Sequence, residues 1–161
     1  MLFKYNLKIN FYMTSKEDNK EGLIPKEKLV MVISRGTMDS AYPALILATT
    51  AAAQGMEVYL YFTFGGMKLL TQGEDEKVDT SKDLGLSKEE LKVLLAKGGM
   101  PTVNQMLKMA VDSGVHINAC SPTMQLFGTT KENLILPGID VVGAATFLEW
   151  ASDPKAITLF I

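Results

Sequence analysis

Cysteine, histidine and arginine each occur only once in the 161 residues, as Cys120, His116 and Arg35. A single cysteine cannot form an internal disulfide, so we expect a reducing, intracellular setting and a fold that depends on its hydrophobic core. One cysteine and one histidine are also too few for the usual zinc sites built from these ligands. We therefore predict no metal and no other cofactor.

Two further absences narrow the class of protein. The formal net charge of −2 argues against the strongly basic face that nucleic-acid-binding proteins carry, so we predict no nucleic-acid partner. A long apolar run is also missing at the start of the chain, where Lys4, Asn6, Lys8 and Asn10 interrupt the first thirteen residues. We therefore predict no signal peptide, no membrane span and a cytoplasmic protein.

The length and composition are those of one domain with a proper core, since 47% of the residues are hydrophobic. The polar run at residues 14–22 cannot bury enough apolar surface to hold a fixed structure. We predict a flexible N-terminal extension over residues 1–22 and a single α/β domain over residues 23–161.

Apolar segments alternate with helical patterns along the domain. The predicted strands are residues 29–33, 57–62, 115–119, 140–142 and 156–160. Helices are predicted from Asp39 or Ser40 to Ala53, over 67–70, from a capping box at 87–90 to Gly98, over 102–112, after Cys120, in a turn opened by a capping box at 129–132, and up to Trp150. Residues 72–85 are acidic and aperiodic, which predicts an exposed loop. This alternation favours a three-layer α/β/α domain with a five-stranded, mainly parallel sheet.

Right-handed crossovers place the carboxyl ends of parallel strands at one edge of the sheet, where α/β proteins build their sites. We therefore predict a cleft at this edge, where the loop of Arg35 and the Cys120 turn also open. The residues predicted to line it are Asp39, Tyr42, Gly65, Gly66, Met124 and Gly143.

Cys120 is the predicted catalytic residue, because it lies where a buried strand gives way to a helix that starts at Ser121. The helix N-terminus presents unpaired N–H groups and a partial positive charge, which favour the thiolate, the nucleophilic form. A free cysteine is also commonly a small buried hydrophobe, and the local sequence leaves both interpretations open. His116 lies on the same strand at roughly 13 Å, too far for a direct ion pair.

Residues 34–40 follow a strand and open a helix, as a phosphate-binding loop does, but they lack both of the glycine patterns known for nucleotide binding. The guanidinium of Arg35 and backbone donors at Gly36 and Ser121 are the predicted anion ligands, suited to a thiosulfonate or persulfide cargo. An ordinary turn between strand and helix is the alternative.

Three stretches carry a resemblance to a known family: residues 114–124 followed by Gly128 and Glu132, residues 39–48, and residues 61–70. In their order and spacing they resemble the DsrE/DsrF/DsrH-like sulfur-relay family, and more narrowly its peroxiredoxin-like DsrE branch, over about residues 29–161. The resemblance implies that Cys120 carries sulfur as a persulfide or thiosulfonate and exchanges it with TusA-like carriers or rhodanese-like proteins. It also implies a homo-oligomer, with a trimer favoured. The family offers no counterpart to the acidic loop at 73–85, and we expect no membrane anchor of the kind some members carry, because the sequence shows no spanning segment.

We therefore expect a sulfur carrier, similar to a sulfurtransferase rather than a conventional turnover enzyme. A lone cysteine suits this role, because a resolving thiol in the same chain would discharge the cargo as a disulfide. Two alternatives stay open. One is a thiol peroxidase or redox sensor in which Cys120 is oxidised to a sulfenic acid. The other is a noncatalytic module that binds a nucleotide or small anion in the cleft.

Overall fold

The computed structural model describes residues 26–161, which form a five-stranded parallel sheet between two layers of helices. The strands are β1 (Lys28–Ile33), β2 (Glu57–Phe62), β3 (His116–Cys120), β4 (Asp140–Val142) and β5 (Ala156–Phe160). The helices are α1 (Met38–Ala53), α2 (Lys88–Lys97), α3 (Val103–Asp112), α4 (Ser121–Phe127) and α5 (Ala144–Ala151). The predicted three-layer α/β fold is thereby confirmed, whereas the predicted extension at 1–22 lies outside the described residues.

The strands lie side by side in the order β4, β3, β2, β1, β5, which the sequence alone does not determine. In this register Phe62 of β2 is paired with Ile33 of β1 on one side and with Ala119 of β3 on the other. The three central strands therefore end at the same level, and the loops that follow them are neighbours at one edge of the sheet.

The two faces of the sheet are covered unequally. On one face α1 and α3 pack over Met31, Ile33 and Leu60, which are completely buried in the main core. On the other face α5 supplies Phe147 to a small second cluster, and Trp150 stacks on Tyr59 with ring centroids 4.4 Å apart. Strands covered on both faces consist of nearly continuous apolar residues, which is why the pattern of β1 is so easily recognised.

Two helix starts differ from the prediction. Helix α1 begins at Met38 because Thr37 is its N-cap and forms a capping box with Ser40, and this earlier start places Pro43 in the second turn, inside the helix. The predicted box at 129–132 is shifted by one residue, since Asn133 Oδ1 accepts from the backbone N–H of Thr130.

The predicted exposed loop at 72–85 packs more closely than expected. It contains two 3₁₀ helices, Asp75–Lys77 and Lys82–Leu84, and its Val78 is only 4% exposed. The backbone N–H of Met38 donates to the carbonyl of Asp79 at 2.9 Å. Tertiary contacts of this kind produce no hydrophobic periodicity in the sequence, so the sequence predicts an irregular segment.

Candidate functional site

Cys120 is the last residue of β3 and the N-cap of α4. Its place follows from local sequence: Pro122 is tolerated in the first turn, where no intrahelical N–H bond is lost, and Gly128 ends the helix in the left-handed conformation at φ 66°. The chain therefore turns sharply after the buried strand and leaves the thiol at the carboxyl edge of the sheet.

Hydroxyl groups from two other elements converge on the sulfur. Thr123 in α4 donates its hydroxyl hydrogen to Cys120 Sγ at 3.1 Å. The hydroxyl of Thr63, directly after β2, lies 3.0 Å from that of Thr123. Tyr61 on β2 packs against Cys120, and its phenol is close enough to affect the pKa of the thiol. These donors can stabilise negative charge on the sulfur in the way that fixed hydrogen-bond donors stabilise other anions.

The balance of these effects favours the thiolate. Burial raises the pKa of the Cys120 thiol, but the hydroxyls of Thr123, Thr63 and Tyr61 together lower it by more, so the pKa lies below the ordinary thiol value. Burial and the contact with Cys120 raise the pKa of Tyr61 in turn, which keeps its phenol protonated as a donor. Thiolate is the form of cysteine that attacks sulfur.

The other neighbours of the thiol are apolar. Val32, Tyr61 and Cys120 form a small buried cluster with Val142 and Phe147 packed against it. This cluster lies under α5 and is separate from the main core, and Cys120 itself is 5% exposed. Within residues 26–161, no lysine, arginine or histidine side chain forms a hydrogen bond or an ion pair with the sulfur.

A strained residue borders the thiol. Phe64 has a φ of 43°, the one positive value at a non-glycine position in the described part of the chain, and such a conformation costs roughly 1–2 kcal/mol. Its backbone N–H donates to the Thr123 hydroxyl oxygen at 3.3 Å, and its ring is 60% exposed. The same threonine that contacts the sulfur therefore also helps to hold the strained residue in place.

Two of the three predicted anion ligands, Arg35 and Gly36, are not brought to the thiol. Arg35 lines a separate recess with Pro43, Phe160 and Ile161, and β2 lies between its strand and that of Cys120, so the two strands are roughly 10 Å apart. Gly36 lies against the Gly65 backbone, where a Cβ atom would be 2.0 Å from the carbonyl oxygen. Ser121 is the first residue of α4, beside Cys120.

The residues predicted to line one cleft lie in different parts of the fold. Asp39 accepts hydrogen bonds from the N–H and hydroxyl of Ser81 at 2.7 and 2.6 Å. Tyr42 lines a cavity on the opposite face of the sheet, and Met124 is buried in the main core. Gly143 is the N-cap of α5 after β4.

Gly65 and Gly66 have a packing role. A Cβ atom on Gly66 would lie 2.1 Å from the carbonyl oxygen of Ile33, so only glycine allows the chain after β2 to pass this close to β1. This close passage fixes the path of the segment that carries Thr63 and Phe64 past the thiol.

Sequence reasoning missed Tyr61, Thr63 and Thr123. Their one signal is that hydroxyl residues cluster at the end of β2 and in the first turn of α4, which matters only once β2 is known to lie beside β3. His116, by contrast, stacks on Tyr59 with ring centroids 4.7 Å apart at the opposite end of β3.

Residues 26–161 contain neither a metal-ligand cluster nor a membrane-spanning helix. No cluster of three or more His, Cys, Asp or Glu side chains has a geometry that suits a metal ion. Among the helices of the same residues, none has the length and apolar character needed to cross a membrane.

Comparison with known proteins gives a consistent picture. The model of the DsrE/DsrF/DrsH-like family matches residues 25–160. The Sulfur carrier protein DsrE2 of Allochromatium vinosum is 29% identical over 159 residues, covering 84% of this chain and 99% of its own length. The uncharacterised protein YrkE of Bacillus subtilis is 30% identical over 158 residues, covering 84% of this chain and 97% of its own length.

Solved structures agree at the level of the fold. The YchN protein of E. coli aligns with a TM-score of 0.58 at 15% identity, covering 86% of this chain and all of the other. The MTH1491 protein of Methanobacterium thermoautotrophicum, described as of unknown function, aligns with a TM-score of 0.54 at 14% identity, covering 84% of this chain and all of the other.

Proposed function

The chain belongs to the DsrE/DsrF/DrsH-like family, and from this we propose that it is a sulfur carrier whose cargo is held on Cys120. The observation that carries the proposal is the set of hydroxyl groups around the Cys120 sulfur, which favours a thiolate at a position where a strand ends and a helix begins. The name of the Allochromatium vinosum relative supports the same class of function.

Loading is a redox-neutral transfer of one sulfur atom. The Cys120 thiolate attacks the sulfane sulfur of a donor persulfide, R–S–SH, and a new S–S bond forms as the S–S bond of the donor breaks. The donor leaves as the thiolate RS⁻, and Cys120 carries the sulfur as a persulfide. An acceptor thiolate then attacks the outer sulfur in the same way, which releases the Cys120 thiolate.

We favour a persulfide over a thiosulfonate cargo. The hydroxyl groups beside the sulfur can donate to a persulfide anion as they donate to the thiolate, and the other described neighbours are apolar. A thiosulfonate would add the three oxygens of a sulfonate among these apolar side chains, and Arg35, its predicted cation, belongs to a different recess.

Transfer to a partner requires access to the sulfur. Because Cys120 is 5% exposed, we expect the residues at its rim to move aside when a donor or acceptor docks. TusA-like or rhodanese-like proteins remain the predicted partners, and a homo-oligomer, with a trimer favoured, remains the predicted assembly. A reducing cytoplasm is the compartment in which such a lone carrier thiol stays available.

The experiment is intact-mass analysis of the wild type and Cys120→Ser after exposure to polysulfide, thiosulfate or tetrathionate, before and after reductant. The proposal expects the wild type to gain the mass of one sulfur atom from polysulfide, to lose it on reduction, and to pass it to an added acceptor thiol. Cys120→Ser should gain nothing.

Two results would contradict the proposal. If the folded wild type gains no adduct and resists alkylation, Cys120 is a core residue and the binding module becomes the better interpretation. If peroxide adds one oxygen atom to Cys120 and is consumed much faster than by free cysteine, the thiol peroxidase or redox sensor becomes the better one.

A further inference from the structure

A second concave region lies on the other face of the sheet, under α2. It is a cavity of about 500 Å³ between α1, α2 and α3. Its wall shares no residue with the cluster around Cys120. Well-packed protein interiors contain few voids larger than a water molecule, whereas ligand pockets commonly measure about 300–1,000 Å³.

The floor of the cavity is apolar and already part of the main core. Met38, Leu69 and Val78 are each no more than 6% exposed and form its inner surface. Leu95 of α2 and Met100 complete the wall and are partly buried. This lining offers dispersion contacts and few hydrogen-bonding groups, which suits an apolar molecule.

Polar contacts outside the floor hold the cavity in shape. The Tyr42 hydroxyl donates to the carbonyl of Pro101 at 3.0 Å, and Asn104 donates to the Asp75 carboxylate at 2.8 Å. Ser87 and Glu90 form a capping box at the start of α2. None of the ten residues of α2 is fully buried, and the helix packs on the main core through its partly buried Leu91 and Leu95.

The charges at the rim balance. Lys88 and Lys92 lie on the α2 side, and Asp75 and Glu76 lie on the side of the preceding loop. Lys88 also donates to the backbone carbonyl of Glu76. A rim with equal numbers of opposite charges gives no net attraction for an anion or a cation, so the apolar floor determines which ligand binds.

We propose that this cavity is a binding site for an uncharged, predominantly apolar small molecule, held between α1, α3 and the overlying helix α2. The site is independent of the sulfur chemistry at Cys120, because none of its lining residues contacts that thiol.

The test uses the uncharged fluorescent probe N-phenyl-1-naphthylamine with the full chain. We expect saturable binding with one probe per chain. Leu95→Glu places a charge in the wall and should lower the affinity at least about tenfold, whereas Leu94→Glu, at the adjacent leucine that is 53% exposed and outside the wall, should change it less than about twofold.

Three results would overturn the proposal: no saturable binding by the wild type, equal effects of the two substitutions, or at least about tenfold tighter binding of 8-anilinonaphthalene-1-sulfonate, which adds an anionic group to similar rings. If Leu95→Glu loosens α2, hydrogen exchange of the wild type with and without the probe provides a second test that does not depend on the variant. Bound probe should slow exchange over residues 88–97, and unchanged exchange there at saturation would contradict the assignment.

Discussion

Two turns lead from a strand into a helix at the same edge of the sheet, and they use that position differently. In the turn from β1 to α1, the Ser40 hydroxyl donates to the carbonyls of Arg35 and Thr37 at 3.1 and 2.9 Å, so this hydroxyl is satisfied within the turn. In the turn from β3 to α4, the Cys120 sulfur instead receives a hydrogen bond from Thr123. The Ser40 hydroxyl holds its own turn together, whereas the Cys120 sulfur is a reactive atom.

The two turns also differ in the charge at the start of the helix that follows them. Asp39 lies in the first turn of α1 and already supplies the negative charge that the N-terminus of a helix favours. The first turn of α4 has no acidic residue. Topology therefore brings both turns to the edge where sites are built, but the local side chains decide which of them is free for chemistry.

The largest contrast is expected when the central polar side chain of each turn is removed. Cys120→Ala should abolish the adduct formed from polysulfide. Ser40→Ala should leave adduct formation unchanged and lower the free energy of unfolding by about 1 kcal/mol, because the carbonyls of Arg35 and Thr37 lose the hydroxyl that donates to them. Intact mass and urea denaturation measure the two effects. An adduct on Cys120→Ala would contradict the contrast.

The next prediction compares the glycines of two turns. Gly36→Ala should lower the free energy of unfolding by about 3 kcal/mol or more, because its Cβ would lie 2.0 Å from the Gly65 carbonyl oxygen and the backbone would have to move. Gly143→Ala, which has nothing within 4 Å of the new Cβ, should cost less than about 1 kcal/mol. If both variants unfold at similar urea concentrations, the backbone at Gly36 is not packed tightly against Gly65.

Asp39→Asn tests the polar closure of the β1 turn through pH. Burial raises the pKa of Asp39, but hydrogen bonds from the Ser81 hydroxyl and N–H lower it by more, so it lies below the ordinary value of 3.8. The carboxylate therefore adds stability above pH 3.8, and this contribution is lost as the pH falls through the lower pKa of the folded state.

At neutral pH we expect the Asp39→Asn variant to be less stable than the wild type by about 1 kcal/mol. Below the folded-state pKa the difference should disappear. Urea titrations at a series of pH values measure it, and a difference that stays constant down to acid would show that the charge of Asp39 is not involved.

The smallest effect is expected for Arg35→Ala. Loading from polysulfide should stay within about twofold of the wild type, because the guanidinium lies in a separate recess. If Arg35 reaches a sulfonate as the sequence predicts, the adduct formed with tetrathionate should be lost two- to threefold faster, about 0.5 kcal/mol. Time-resolved intact-mass analysis measures both effects. If the lifetime of the tetrathionate adduct is unchanged, Arg35 does not contact the sulfonate.

Much of the fold could be predicted because β1 and β2 are continuous apolar runs between glycine-containing turns, and the Ser87 capping box marks the start of α2. Strand order could not be predicted, since several orders suit the same five segments. The start of α1 was misplaced because Thr37, rather than the stronger capping residue Asp39, serves as the N-cap.

The candidate site could be located but not assembled from the sequence. Cys120 stood out as the lone thiol at the end of a strand, but Tyr61 and Thr63 become its neighbours only through the pairing of β2 with β3. Tyr42 was predicted to line the same cleft, but it lines the cavity under α2 instead. A pattern along one segment does not reveal which face of the sheet each side chain reaches.

The most direct measurement is the rate of Cys120 alkylation by iodoacetamide as a function of pH, in the wild type, Thr123→Val and Thr123→Ser. We predict a midpoint below the ordinary thiol pKa in the wild type, a higher midpoint and severalfold slower reaction near neutral pH in Thr123→Val, and near wild-type behaviour in Thr123→Ser, which keeps the hydroxyl. A wild-type midpoint at or above the ordinary thiol value, unchanged by Thr123→Val, would contradict the claim that hydroxyl groups make Cys120 a carrier thiolate.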